Sequence, residues 1–242
     1  MREDANISNI EIPFHESKIT VERWGKGTTG VIFFSNSGDM AAQIHRSILK
    51  YGSLWAGDYS FFLWKYPQSH PFDEIGDSMM VHQLKSQGVN VNTALAPRAD
   101  GSLGKLRTSK VVFSGVATSV MNEIQKLTGL KKYLLVGDSM GAGIILWDEN
   151  ALQSIPDVKM LLISPTDIFS PGSLPELRNT VLIANAEGDE WDTDKNLMKW
   201  VAANKYTPTD MTLAPGHLIL GQNLFDDDLC KLISLATTPH NP

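Results

Sequence analysis

The chain of 242 residues carries a single cysteine, Cys230. One thiol cannot close an intrachain disulfide, and it leaves no cysteine set for a zinc site. Long apolar runs are missing as well: no stretch reaches the roughly 18 residues of a membrane span. Clustered positive charge is scarce, because 21 Lys and Arg face 27 Asp and Glu for a net charge of −6. Lys131-Lys132 is merely a pair, so the basic face of a nucleic-acid binder is not expected. The opening residues MREDANISNIEI lack the apolar centre of a signal peptide, and with the missing disulfides this predicts a cytoplasmic protein. No repeat, low-complexity segment or linker divides the chain, so one domain over 1–242 is expected.

What the chain does hold is an alternation of strand and helix signals. Ile10, Ile12 and Phe14 alternate with polar residues, and Ile19 and Val21 do the same beyond the His15-Glu16-Ser17 turn. That predicts an antiparallel hairpin at the N-terminal edge of a sheet, with Pro13 favouring an edge because it has no N–H to donate. Val31-Ile32-Phe33-Phe34 is continuously apolar, as in a strand covered on both faces. Helices are expected over 41–50 and over 75–87, the second ending at Gly88, and a strand over 89–96. Val112, Val116, Val120 and Ile124 recur every four residues, which predicts an amphipathic helix ending near Gly129. Strands over 133–136, 158–163, 181–184 and 211–214 then alternate with helices over 140–153, 194–203 and 225–236. This βαβ rhythm gives an α/β fold, a mostly parallel central sheet with helices on both faces. Residues 55–72 hold seven of the twenty aromatics. Two readings fit them: a buried strand through Ser60-Phe61-Phe62-Leu63-Trp64, or an insertion lying over a pocket.

The segment Leu134-Leu135-Val136-Gly137-Asp138-Ser139-Met140-Gly141 raises a choice of chemistry. Glycines at 137, 141 and 143 match the spacing of a dinucleotide-binding turn in short-chain dehydrogenases. Those enzymes place that turn after their first strand, whereas several strands precede it here. They also use Tyr-x-x-x-Lys, and none of the five tyrosines has Lys four positions on. A phosphate loop of the Walker type fails too, since no Lys-Ser/Thr follows the glycines. The alternative is a nucleophilic serine. A serine hydroxyl attacks only when a base takes its proton, so it must project from the chain toward a histidine. A sharp strand-to-helix turn achieves this and crowds the backbone, so small residues are needed two positions either side. Gly137 and Gly141 stand there. As a plain helix N-cap, Ser139 would need neither glycine.

The partners of such a serine follow in the order acid, then histidine, each beyond a later strand. Asp189 lies after the strand 181–184, among Glu187, Glu190, Asp192 and Asp194. His217 lies after the strand 211–214 on Pro215-Gly216, alone among six histidines in that kind of position. Both loops fall on the sheet edge that carries Ser139, because parallel strands share their C-terminal side. Asp226-Asp227-Asp228 opens the last helix, where acids complement the helix dipole, so it is not a metal site.

Taken together, Gly137-Asp138-Ser139-Met140-Gly141, Gly188-Asp189 and Gly216-His217-Leu218 resemble the nucleophile, acid and histidine loops of the α/β-hydrolase fold. Gln87-Gly88-Val89 through Gly104 is similar to the segment that precedes the nucleophile in that family. The resemblance runs from Val31 onward. It implies a serine hydrolase cleaving carboxylic esters or thioesters of small to medium acyl groups, with Ser139, Asp189 and His217 catalytic. The backbone N–H groups of Met140 and Ser37 would form the oxyanion hole, with Asn36 the alternative to Ser37. Members often carry His-Gly there, where this chain reads Ser35-Asn36-Ser37-Gly38. Trp55, Phe61, Trp64 and Trp191 are the candidate pocket residues. Acyl transfer, carbon–carbon bond hydrolysis on the same triad, and a non-catalytic small-ligand binder are the alternatives. No cofactor or metal is implied, the partner is a small acyl substrate, and the oligomeric state is left open. Only Pro165 to Asn179 separates two late strands, which leaves no room for a large cap domain.

Overall fold

A computed structural model of the chain describes residues 8–14, 17–34, 58–64, 115–152, 154–165, 181–184 and 226–237. Seven strands form one sheet: β1 (Ser8–Phe14), β2 (Ser17–Gly25), β3 (Thr29–Phe34), β4 (Tyr59–Trp64), β5 (Lys132–Asp138), β6 (Val158–Ile163) and β7 (Val181–Ala184). Their spatial order is β1-β2-β4-β3-β5-β6-β7. The β1-β2 and β2-β4 pairs are antiparallel, and every pair from β4 onward is parallel. The expected hairpin therefore forms, with Phe14 opposite Ser17 and Pro13 on the edge strand. The stretch 60–64 resolves as a strand, pairing with β2 on one side and β3 on the other.

Continuous apolar sequence in β3, β4 and β5 follows from coverage on both faces. Alternate residues feed two separate cores. Ile32, Phe34, Phe62, Trp64 and Leu135 pack with α1 (Val116–Thr128) and α2 (Met140–Trp147). Val31, Phe33, Phe61, Leu63 and Val136 pack on the other face with α4 (Asp226–Thr237), through Leu229, Leu232, Ile233 and Ala236. Helices on both faces are thus present. Helix α1 turns Val116, Val120, Met121 and Ile124 inward, each worth about 1.5–3 kcal/mol when fully buried. It ends where Gly129, at φ 69, donates its N–H to the carbonyl of Gln125, a conformation that glycine adopts without a Cβ penalty.

The helix expected over 140–153 is broken in two at Asp148. α2 stops at Trp147, and a short α3 (Glu149–Leu152) restarts beyond Asp148. The Asp148 carboxylate reaches across to the start of α1, accepting the N–H groups of Gly115 at 2.5 Å and Thr118 at 2.9 Å. A helix start leaves such N–H groups without intrahelical acceptors, and α1 has no side-chain cap of its own. Asp148 is 6% exposed. Burial pushes its carboxyl above the ordinary value, and the backbone N–H groups pull in the opposite direction.

The expected helices over 41–50, 75–87 and 194–203, and the strands over 89–96 and 211–214, lie outside the described residues. No described helix is long and apolar enough to cross a membrane.

Candidate active site

The C-terminal ends of the parallel strands set the frame. Phe34 of β3 lies opposite Gly137 of β5, Asp138 opposite Ile163 of β6, and Ile163 opposite Ala184 of β7. Three neighbouring strands thus finish level with the residue before Ser139. The chain turns there directly into α2, with Ser139 in the N-cap position.

Ser139 has φ 50 and ψ −117, a backbone conformation that costs a non-glycine residue on the order of 1–3 kcal/mol. The neighbours enforce it. A Cβ built on Gly137 would stand 2.6 Å from the amide nitrogen of Ala142 and 2.6 Å from the carbonyl carbon of Gly141. Both are backbone atoms of the helix start, so they cannot swing aside. The glycine at 137 is therefore a steric requirement of the tight return of α2 onto β5. On the other side the Ser139 N–H donates to the carbonyl of Ile163 at 2.9 Å. Ser164 follows at φ 39, wholly buried, and donates its N–H to the carbonyl of Ala184 at 2.8 Å. The strained turn is pinned to β6, and β6 in turn to β7.

Two consequences follow for the chemistry. Although Ser139 occupies an N-cap position, its side chain makes no capping hydrogen bond to α2. Capping is the usual reason for a serine at a helix start, and it does not account for this one. The Ser139 N–H is committed to Ile163, and Met140 is the first residue of α2. N–H groups of a first helical turn have no intrahelical acceptor, and the dipole of α2 favours negative charge beside them. Ser139 itself is 7% exposed. Asp138 is 1% exposed, so the polar residue beside the serine points into the protein.

Of the site residues expected from sequence, Ser139 and the backbone of Met140 are described. Ser37, Asn36, Asp189, His217, Trp55 and Trp191 lie outside the described residues. Phe61 and Trp64 are strand residues of β4, 1% and 2% exposed, on opposite faces of the sheet. Their side chains fill the two cores, so for residues 59–64 the strand reading replaces that of an insertion over a pocket. Sequence reasoning missed Ile163 and Ser164. Their contribution is made by backbone atoms and by a left-handed φ at a non-glycine residue, neither of which leaves a signature in residue type.

Comparison with protein-family models and with curated protein sequences gives no match. Comparison with solved structures gives many. A predicted CIB-like hydrolase from Thermoplasma acidophilum superposes with a TM-score of 0.58 at 11% identity, over 97% of this chain and 100% of that one. A dienelactone hydrolase from Anabaena variabilis superposes with a TM-score of 0.59 at 13% identity, over 97% of each chain. The strand order, the serine turn after β5 and this likeness along the chain agree, and the protein has the α/β-hydrolase fold.

Proposed function

We propose that the protein is a serine hydrolase that cleaves carboxylic esters of small to medium acyl groups, as one domain without a large cap. The observation that carries this reading is the turn at Ser139: a strained, non-capping serine between a parallel strand and a helix start. Strain of this kind is retained where the surrounding structure and the chemistry both require it.

In the proposed reaction, His217 takes the proton from the Ser139 hydroxyl as it attacks the ester carbonyl carbon. Asp189 orients His217 and stabilises the imidazolium. The N–H groups of Met140 and Ser37 bind the oxyanion, a donor typically being worth about 2.7–4 kcal/mol of barrier. The alcohol leaves with the proton from His217, and water, deprotonated by the same histidine, releases the acid. Asp189 follows β7 by five residues, in the chain order serine, acid, histidine of this family.

The test is a panel of p-nitrophenyl esters and acyl-CoA thioesters, read for wild type and Ser139→Ala. An unsaturated lactone belongs in the panel, because the Anabaena neighbour bears the name dienelactone hydrolase. Hydrolysis of short esters by the wild type and none by folded Ser139→Ala is the expected result. Equal hydrolysis by both proteins would refute the nucleophile.

A further inference from the structure

At the opposite end of the sheet from Ser139 lies a cleft with its own chemistry. A cleft of about 510 Å³ opens between the β2–β3 connection and the α1–β5 connection, lined by Arg23, Lys26, Thr28, Lys131 and Lys132 among others. Four of its ten lining residues are cations and none is an acid. In a chain where acids outnumber bases by 27 to 21, that local balance is reversed. The acids at this end of the sheet, Asp58 and Asp157, do not line it. None of the four cations forms an ion pair among the described residues.

Cations beyond a helix C-terminus have an ordinary explanation, and Lys131 and Lys132 follow the end of α1. That terminus carries the equivalent of about half a negative charge, so four cations far exceed what it can neutralise. Arg23 comes from β2, on a different element, and its guanidinium lies over the Phe62 ring, 5.8 Å from the centroid. A cation–π contact of this kind favours a guanidinium over the ring face, and a guanidinium can meet phosphate oxygens at two points. The cleft is open to solvent, and its volume falls within the usual size range of small-molecule sites, about 300–1,000 Å³.

We propose that this cleft binds a small phosphate-bearing ligand of high negative charge. The seven residues of β5 separate Lys132 from Ser139 by about 20 Å, so the site is distinct from that of hydrolysis.

Inorganic pyrophosphate is the probe, titrated calorimetrically into the full chain at low and at moderate salt. The expected result is saturable binding that weakens as salt rises. Replacing both lysines (Lys131→Gln with Lys132→Gln) is expected to weaken it at least about tenfold, since each charged hydrogen bond is worth a comparable factor. Ester hydrolysis by the same double variant should match the wild type, which separates the cleft from the Ser139 reading. Absence of saturable binding at millimolar pyrophosphate overturns the proposal. So does an unchanged affinity in the folded double variant, or an affinity for acetate equal to that for pyrophosphate.

Discussion

The two ends of strands β3 and β5 are built on different physics. At the C-terminal end, Phe34 and Gly137 lead into a turn where backbone atoms meet at contact distance and Ser139 is held at φ 50. At the N-terminal end, Thr29 pairs with Lys132 beside a cleft rimmed by exposed lysines. One end depends on steric fit and strain; at the other, four cations line a cleft and form no ion pair among the described residues. Parallel strands explain why both can exist in one sheet: each end gathers loops of one kind, and the strands between keep them apart.

The sharpest way to break the comparison is to add one methyl group at each end. Gly137→Ala forces a Cβ against backbone at 2.6 Å, and a loss of about 3 kcal/mol or more in urea unfolding is expected, with loss of hydrolysis. Gly129→Ala meets nothing within 4 Å, so only the left-handed φ resists it, at about 1–2 kcal/mol. Equal losses at the two glycines would remove the distinction between steric and conformational demand.

Next in size is the link from α2 to α1. Asp148→Ala deprives the N–H groups of Gly115 and Thr118 of their acceptor, and a loss of about 1–3 kcal/mol is expected. The pH dependence has a definite sign. Folding raises the Asp148 carboxyl above its ordinary 3.8, so the folded state holds the proton more tightly than the unfolded state. Its contribution to stability is therefore full below the unfolded value and is lost as pH rises through the folded value. Unfolding free energies of the wild type measured upward from about pH 3.8 should include that decline, and those of Asp148→Asn should lack it.

The smallest expected effect concerns the charged end. Lys131→Gln with Lys132→Gln should change folding stability by no more than about 0.5 kcal/mol, as exposed substitutions generally do. A large loss would make these lysines structural and the cleft incidental.

How much was legible in the sequence follows the same division. Strands β3, β5, β6 and β7 each carry a continuous apolar run (31–34, 133–136, 160–163 and 181–184), and burial on both faces is a strong enough demand to be read from residue type alone. The Gly137 and Ser139 spacing was legible because a steric requirement selects glycine at 137. The break at Asp148 was not: a buried carboxylate serving a helix 30 residues away in sequence looks like any helical acid. The charged cleft was not legible either. Arg23 and Lys26 lie far along the chain from Lys131 and Lys132, and only the pairing of β2, β4, β3 and β5 brings the two pairs together. The aromatic stretch was ambiguous because a short apolar run suits a core strand as well as a pocket wall.

A nucleophilic Ser139 would be captured covalently by a fluorophosphonate probe. Intact-mass analysis and peptide mapping of the wild type should find one label per chain, on Ser139 within residues 134–143, and folded Ser139→Ala should take none. An unlabelled wild type that is demonstrably folded, or a variant labelled as fully as the wild type, would contradict it.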